Sequence, residues 1–452
     1  MAAPLTIRGR KTIPTPWQER ILKRDFEVVL GKMLQPDRGN ELETEEPYLR
    51  SANVQWDGVN VSDINTMWFS PRERKELLLR AGDLVVNEGG DVGRCATWAG
   101  ELAACYFQNA VNRVRPRQKA SARFLYYWLY NIKHAGFIDA IVSRTTIAHL
   151  TAEKLEAIPW ADAPPAEQQR IAAYLDASCV AIDAAVAAKR RQLETLDALR
   201  KSIIQRAVTR GIAEGVTLES TGNVWMEQIP RGWKLVALKR ISEIRGGLTL
   251  GKQYEGTLIE RPYLRVGNVQ DGHLDLADVS VIELPASVAA GVELCPDDVL
   301  MTEGGDLDKL GRGHLWQGEI PGCLHQNHIF AVRCFPHKLK PMYLAYATAA
   351  KYGRDYFEAT GKKTTNLANT NATKVGQFPI PLPSLAEQES ICAHLDEKTA
   401  EVDRIFATIE SQIATLTAYR KSLIHECVTG QRRVTEADIN RVKVHGQEEA
   451  TP

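Results

Sequence analysis

Cysteine pairs, long apolar runs and a net charge are all missing from this 452-residue sequence. Its eight cysteines show no CxxC spacing and no Cys/His cluster, which argues against a zinc site or a disulfide framework and favours a reducing cytoplasm. No run approaches the ~20 apolar residues of a membrane span, and no apolar signal core opens the sequence. The formal net charge of +0 neither requires nor excludes nucleic acid, because a binding surface needs basic residues on one face only.

Signatures of catalysis are missing as well. The segment GGLTLGKQ (246–253) has the glycine-to-lysine spacing of a phosphate-binding loop, but Gln253 replaces the serine or threonine that would hold Mg²⁺. There is no GxGxxG, GxSxG or HExxH motif, and no Asn-Pro-Pro-Tyr tetrapeptide that would serve a flipped base. We therefore expect a binding protein with no catalytic residue, no metal site and no cofactor of its own.

What the sequence does contain is a long internal repeat. The motif Glu-Gly-Gly-Asp at 88–91 recurs at 303–306, and PYLRSANVQWDG (47–58) recurs as PYLRVGNVQDG (262–272), both at an offset of 215. Further along, AEQQRIAAYLD (166–176) matches AEQESICAHLD, and LRKSIIQRAVT (199–209) matches YRKSLIHECVT, both at an offset of 220. Ordered matches with slowly drifting offsets indicate a tandem duplication of the whole chain.

Each copy has two parts of different texture. Short apolar runs punctuated by Gly, Asn and Asp predict a mixed α+β globule, and a proline-rich junction then leads into a helical part. We expect five regions: a first globular domain (1–162), a first long helix (163–214), a second globular domain (215–382), a second long helix (383–431) and a polar C-terminal tail (432–452).

The two long helices carry equivalent apolar seams. Residues in steps of four and three run from Leu175 through Ile182 and Leu196 to Ile203, and the same steps recur 220 positions later. This period is typical of a coiled coil, so the nearest partner for each helix is the other. About 45 residues make a rod of roughly 65–70 Å, close to two turns of B-DNA. A plain buried core stripe is the alternative interpretation.

Two divergent globules, each followed by a helix that opens with AEQxxI and closes with RKSxI, resemble the specificity subunit of a type I restriction–modification system. The resemblance extends from about residue 13 to 430. It implies an α+β fold of two target recognition domains separated by two long antiparallel coiled-coil helices with pseudo-twofold symmetry. It also implies a cytoplasmic DNA-binding function, with each domain reading one half of a bipartite asymmetric target and the helices setting the spacer.

The resemblance further implies partners: double-stranded DNA, two modification (methyltransferase) subunits docked on the helices, and restriction (motor–nuclease) subunits. S-adenosylmethionine, ATP and Mg²⁺ are expected on those subunits. An alternative from another class is a non-catalytic coiled-coil adaptor whose globules bind proteins; a self-contained enzyme is disfavoured by the missing motifs.

Basic and hydroxyl residues at matching places in the two copies are the candidates for DNA contact, because such side chains bind phosphates and base edges. A glycine opens this loop in the second copy, at Gly361, but the first copy has Ser143 there. An exposed, solvated turn is the competing interpretation, and the basic run VNRVRPRQK (111–119) is expected to be a solvated edge. The candidates are Arg144, Thr145, Thr146, Lys362, Lys363, Thr364 and Thr365, followed by Lys252, Gln253 and Tyr254.

Overall fold

The computed structural model describes residues 14–142, 149–270, 272–305, 310–363 and 368–448. The chain divides into two compact units, one formed by residues 1–189 with 411–452 and the other by residues 190–410. Each unit therefore contains one globule together with a part of both long helices.

The first globule is built from short strands and helices, and it leads into a 46-residue helix. Its elements are β1 (Gln18–Ile21), α1 (Leu22–Asp25), β2 (Phe26–Leu30), β3 (Thr44–Leu49), β4 (Val54–Gln55), β5 (Gly58–Val59), β6 (Asn65–Phe69), α2 (Pro71–Leu77), β7 (Leu84–Asn87), β8 (Cys95–Thr97), β9 (Tyr106–Phe107), β10 (Val111–Pro116), α3 (Ala122–His134), α4 (Phe137–Ile141), α5 (Ala152–Glu156), β11 (Pro159–Asp162) and the long helix α6 (Pro165–Arg210).

The second globule follows the same plan and leads into a 44-residue helix. Its elements are β12 (Leu218–Asn223), β13 (Met226–Pro230), β14 (Lys234–Ala237), β15 (Ser242–Gly246), β16 (Ile259–Leu264), β17 (Ser280–Leu284), α7 (Ala286–Val292), β18 (Asp298–Thr302), β19 (Gly304–Gly305), β20 (Gly313–Leu315), β21 (Leu324–His325), β22 (Ile329–Cys334), α8 (Pro341–Ala349), α9 (Lys351–Thr360), β23 (Lys362–Lys363), β24 (Ala368–Asn369), α10 (Ala372–Gln377), β25 (Pro379–Leu382), the long helix α11 (Leu385–Val428) and α12 (Glu436–Glu448).

The sheets confirm the internal repeat. A four-stranded antiparallel sheet has the order β2-β10-β7-β8 in the first globule and β15-β22-β18-β20 in the second. A three-stranded sheet has the order β6-β3-β9 in the first and β17-β16-β21 in the second, with one parallel pair in each. The apolar runs found in the sequence are the central strands, since all of Leu84–Asn87 and Asp298–Thr302 is buried. The predicted α+β class is confirmed.

A two-stranded ribbon joins the beginning of each globule to its end. Strand β1 pairs with β11, and β14 pairs with β25, both antiparallel. The prolines of the junction fit here because a two-stranded ribbon has free edges, where a residue without an N–H costs no ladder hydrogen bond. Each long helix therefore begins next to the strand through which the chain entered the globule.

In the first unit, the beginning of α6 packs antiparallel to the end of α11. Asp183 Oδ1 lies 3.0 Å from Arg420 Nε, and the ring of Tyr174 lies 5.4 Å from the guanidinium of Arg432, just beyond α11. Apolar seam residues from both helices, including Leu175 and Leu423, are buried in the core of this unit. The seam predicted from the heptad spacing is confirmed.

In the second unit, the end of α6 packs antiparallel to the beginning of α11. Arg200 donates to Asp403 over 3.0 Å, and the Tyr343 hydroxyl lies 3.1 Å from the Val208 carbonyl oxygen and 2.7 Å from that of Pro381. The two charged pairs occupy equivalent positions, because 183 + 220 = 403 and 200 + 220 = 420. The Arg of each RKS motif is therefore paired with an Asp of the other long helix.

Two observations extend the sequence expectations. The stretch described as a polar tail contains helix α12, and Val434 and Ile439 are buried in the core of the first unit. In the described part of the chain, α6 alone has an 18-residue window, of mean hydropathy 1.6, that is apolar enough by length and composition to cross a membrane. This is weak evidence for a membrane span, because the core helix of a soluble protein passes the same test; 39% of the window is buried.

Candidate nucleic-acid interface

The Ala-Glu-Gln motif that opens each long helix attaches the helix to its globule. Glu167 accepts a hydrogen bond from the indole N–H of Trp17 over 3.0 Å, and Glu387 accepts the equivalent bond from Trp233 over 3.1 Å. A carboxylate in the first turn also complements the helix dipole. The tryptophans match at an offset of 216, so the same bond was copied with the repeat.

The glutamine of this motif is fully buried in both copies. Gln168 accepts from the backbone N–H of Ser121 over 2.8 Å and donates to Asp162 and to the carbonyl of Ala163. Gln388 accepts from the N–H of Lys340 over 2.8 Å and donates to the carbonyls of Lys338 and Pro383. These residues join the helix start to the globule and do not face a ligand.

The basic run VNRVRPRQK is not the solvated edge that its composition suggested. Arg113 is buried and donates to the Glu76 carbonyl and to Glu27, because its strand β10 lies in the middle of the sheet. Arg115 makes two bonds of 2.6 Å to Asp83, a carboxylate that is itself buried. Arg117 donates to the carbonyl of Phe26. These arginines stabilise the sheet.

The bidentate pair of Arg115 recurs in the second globule. Arg333 donates from Nε and from a terminal nitrogen to the two oxygens of Asp298, both over 2.8 Å. These hydrogen bonds raise the pKa of Arg333 above its ordinary value. A buried carboxylate bonded by a fork of two N–H groups is a strong, charge-assisted contact, so both pairs belong to the framework and not to a reading surface.

The predicted DNA-contacting residues fall into three groups. Arg144, Thr145, Thr146, Thr364 and Thr365 lie outside the described residues. Lys362 is exposed on β23, and the backbone of Lys363 continues that strand. Lys252 and Gln253 are exposed, whereas Tyr254 is half-buried against an apolar cluster that includes Leu248 and Leu324. Their role in DNA contact stays a prediction.

The segment GGLTLGKQ has a structural explanation. A Cβ atom placed on Gly247 would lie 2.3 Å from the Gln326 carbonyl oxygen, and one placed on Gly31 would lie 2.3 Å from that of Gln108. Both glycines therefore allow two backbone segments to pass in close contact. No helix begins between residues 247 and 258, a stretch described throughout, so the geometry of a phosphate-binding loop is not formed there.

The glutamates of the Glu-Gly-Gly-Asp motifs bond to the residues that follow the candidate segments. Leu150 N–H donates to the Glu88 carbonyl over 2.9 Å, and Thr370 N–H donates to the Glu303 carbonyl over 2.8 Å. In the second globule the turn forms strand β19, which pairs with β24, which in turn pairs with β23. In both globules the turn therefore holds the chain that follows the candidate loop, and in the second globule β24 links it to the strand that precedes the loop.

The carboxylates of these turns are engaged within the protein by different partners. Glu88 accepts from the amide of Asn112 over 3.2 Å, and Glu303 lies 3.0 Å from Nδ1 of His328. Within the described ranges, no group of three or more His, Cys, Asp or Glu side chains could hold a metal ion.

Two residues at this place were missed by the sequence reasoning. His149 and Asn369 directly precede Leu150 and Thr370, and both are exposed. The candidate loops were defined by their basic and hydroxyl residues. His149 and Asn369 follow these residues in the sequence and belong to neither class. Their equivalence depends on the backbone bonds to the turns, so no local sequence signal could have identified them.

Comparison with known proteins agrees with this architecture. Residues 14–194 match the family model described as type I restriction modification DNA specificity domain. The StySPI specificity subunit of Salmonella potsdam is 25% identical over 210 residues, which are 45% of this chain and less than half, 44%, of that protein. The EcoBI specificity subunit of Escherichia coli is 24% identical over 360 residues, covering 77% of this chain and 73% of that protein.

A solved structure supports the fold over nearly the whole chain. It comes from work described as the structural basis of complex assembly and conformational transition of the type I R-M system. The TM-score is 0.68 at 16% sequence identity, with 93% of this chain and 99% of that chain covered.

The duplicated α+β globules with their paired long helices have the fold of that structure, and the first globule with the start of its helix matches a DNA specificity domain. The chain is similar to specificity subunits of type I restriction–modification systems, and its residues 14–194 match the DNA specificity domain of those systems.

Proposed function

We propose that this chain is the non-catalytic reading subunit of a type I restriction–modification complex, and that each globule recognises one half of a bipartite, asymmetric DNA target. One observation carries the proposal: the two globules share the same set of structural hydrogen bonds, while the stretches between the bonded residues differ in sequence. The bidentate Arg–Asp pair, the Glu–Trp bond and the buried Gln occur in both globules. Residues 65–76 and 280–291 share no identical residue at the repeat offset of 215, although they form the equivalent elements β6–α2 and β17–α7.

We propose that the paired long helices set the distance between the two half-sites. In each unit α6 and α11 are held together by a buried seam and by one equivalent Arg–Asp pair. A stiff helical pair suits the role of a spacer that sets the gap between half-sites and docks two modification subunits. Restriction subunits complete the assembly in the cytoplasm, and S-adenosylmethionine, ATP and Mg²⁺ are placed on those partners, not on this chain.

Filter binding with the complex of this chain and its modification subunits tests the reading function. We expect retention of duplexes that carry the target, with competition by unrelated duplex only at large excess. Binding should weaken steeply with rising salt, because phosphate contacts release counterions. The control is the modification subunits without this chain, which should retain all duplexes alike.

The adaptor alternative is not favoured, because the matched family model is that of a DNA specificity domain. It makes an opposite prediction in the same assay. A complex that ignores DNA sequence at every salt concentration, while still binding its protein partners, would be an adaptor.

A further inference from the structure

His149 and Asn369 occupy the same place in the two globules. The residue after each donates its backbone N–H to the carbonyl of the Glu in the Glu-Gly-Gly-Asp turn, over 2.9 Å in the first globule and 2.8 Å in the second. The Glu residues are 215 positions apart and the donors, Leu150 and Thr370, are 220 apart, which are the offsets of the repeat on either side. The same backbone hydrogen bond to the turn is therefore present in both copies of the repeat.

Both side chains sit against the first glycine of the turn. A Cβ on Gly89 would lie 3.7 Å from the ring of His149, and a Cβ on Gly304 would lie 2.6 Å from the amide oxygen of Asn369. The second distance is shorter than real Cβ contacts allow, so the Asn369 amide uses space that only glycine leaves open. The first is an ordinary van der Waals contact.

Both side chains remain accessible although their backbone is fixed. The side chain of His149 is 50% exposed, with Nδ1 lying 3.9 Å from Glu88 Oε1, which leaves Nε2 on the other side of the ring. Asn369 is exposed and stands in register between Gly304 on one side and Lys362 on the other. A polar, exposed side chain on a fixed backbone is what recognition of a base edge requires, since flexible contacts give little discrimination.

The two residues differ although the glycine turn against which both sit is shared. A pair of domains that read different half-sites with the same scaffold must carry different side chains at equivalent reading positions. The neighbouring Glu, both glycines and the anchoring bond are shared, while the exposed position is His in one copy and Asn in the other. Their hydrogen-bonding groups also differ, because an amide offers two donors and an acceptor whereas a neutral imidazole offers one of each.

We propose that His149 and Asn369 are equivalent specificity-determining residues, each contacting a base edge in the half-site of its own domain. Asn369 recognises an adenine, because an amide can bond to N7 and N6 of that base together. Lys362, across the strand pair from Asn369, contacts the neighbouring phosphate. The inference rests on the proposed function and adds to it the reading position of each domain.

The test uses the complete complex with its modification subunits and a library of duplexes randomised one half-site at a time. Base preference at each position is measured by sequencing the bound fraction. We expect Asn369→Ala to lower the preference for one adenine of the second domain's half-site on the order of 5- to 100-fold, the loss of one good base contact. His149→Ala should do the same at one position of the other half-site, and each variant should leave the opposite half unchanged.

The reciprocal variants His149→Asn and Asn369→His should change which base is preferred at those positions. Matched controls are His337→Asn and Asn440→His, which exchange the same side chains at exposed places elsewhere in the described chain and should alter no preference. Should Asn369→Ala fail to assemble, Gly304→Ala displaces the amide without removing it, and the same loss is expected.

The possible results distinguish a wrong assignment of these two residues from a wrong DNA-reading function. A wild-type complex without base preference contradicts the reading function itself. A selective wild type whose Asn369 and His149 variants keep every preference within twofold, or change both half-sites together, overturns the assignment of these residues and leaves the reading function standing.

Discussion

At the level of single residues, the polar groups that recur in both copies are mostly structural. Glu167, Gln168 and their copies Glu387 and Gln388 look like a functional motif in the sequence, yet each bonds to a backbone or side-chain group of its own globule. A buried amide that satisfies three backbone groups is costly to replace, because each group left without a partner loses its solvation and gains nothing.

Gln388→Ala should therefore destabilise the second unit by about 2–4 kcal/mol, because the Lys340 N–H loses its acceptor and two carbonyls lose their donor. Urea unfolding of the variant and the parent measures the difference. Gln192→Ala, an exposed glutamine on α6 in the same unit, is the control and should change little. Equal stability of both variants would contradict the role given to Gln388.

His325 makes a second prediction at this scale, because burial lowers its pKa below that of an ordinary imidazole, despite the bond from its ring to the Val292 carbonyl. The native state then binds fewer protons than the unfolded chain as the pH falls, so the second unit loses stability below about pH 6.5, where unfolded imidazoles become charged. The first copy has Phe107 at the equivalent place.

His325→Phe should reduce this acid sensitivity. The free energy of unfolding, measured in urea at pH 7.5 and at pH 5.5, should fall less in the variant than in the parent. Part of the fall will remain, since burial also lowers the pKa of His314. The exposed His337→Phe is the control, and it should show the parent's full pH dependence.

At the level of elements, close backbone crossings fix where each globule's loops go. Lys32 N–H donates to the Phe107 carbonyl and Leu248 N–H to the His325 carbonyl, so the chain leaving β2 and β15 passes against the strands β9 and β21. Glycine is required at both crossings because any side chain would meet a carbonyl oxygen.

The adjacent glycines Gly246 and Gly247 allow a matched test. Gly247→Ala should cost about 2–3 kcal/mol through forced displacement of backbone, because its Cβ would lie 2.3 Å from the Gln326 carbonyl oxygen. Gly246→Ala should be neutral or slightly stabilising, since nothing lies within 4 Å of its added Cβ. Thermal unfolding of the two variants gives the comparison; similar melting temperatures would refute the close crossing.

The paired helices make a functional prediction. Removing seven residues, one heptad, from each long helix at equivalent positions keeps the apolar seam in register but shortens the rod by about 10 Å, or roughly three base pairs. We expect the spacer of the recognised target to shorten while both half-sites stay the same. Methylation mapping of the variant complex measures the spacer, and an unchanged spacer would exclude the measuring role of the helices.

At the level of the whole molecule, duplication separates what is shared from what is specific. The two units have the same sheet order, the same ribbon and the same Arg–Asp pairs. The sequence differences between the two units lie mainly in stretches that connect these shared sheets, ribbons and Arg–Asp pairs. A chain organised in this way can exchange one reading surface without disturbing the other.

Replacing residues 215–382 by the equivalent region of another family member should therefore change one half-site only. The other half-site and the assembly with modification subunits should be those of the parent complex. Base-resolution mapping of methylated adenines before and after the exchange gives the result. A change in both half-sites would show that the two globules do not read independently.

Much of this organisation is determined by the sequence alone. The repeat, the α+β texture of each copy and the heptad seams all depend on local periodicity or on fixed offsets, which can be seen in the chain without its fold. Prolines mark the junction before each long helix, because proline excludes helix upstream of itself and is tolerated in the first turn; the helices begin at Pro165 and Leu385.

Only the tertiary structure decided which polar residues are free to bind. The charge pattern of Arg113 and Arg115 suggested solvation, but both are bonded to residues 32 to 86 positions away. The position of His149 and Asn369 on the glycine turns depends on the bonds of Leu150 to Glu88 and of Thr370 to Glu303, which join residues 62 and 67 positions apart. Local patterns record burial and periodicity, whereas the partner of a charged or polar group is set by which distant strands meet, and that is a property of the folded chain.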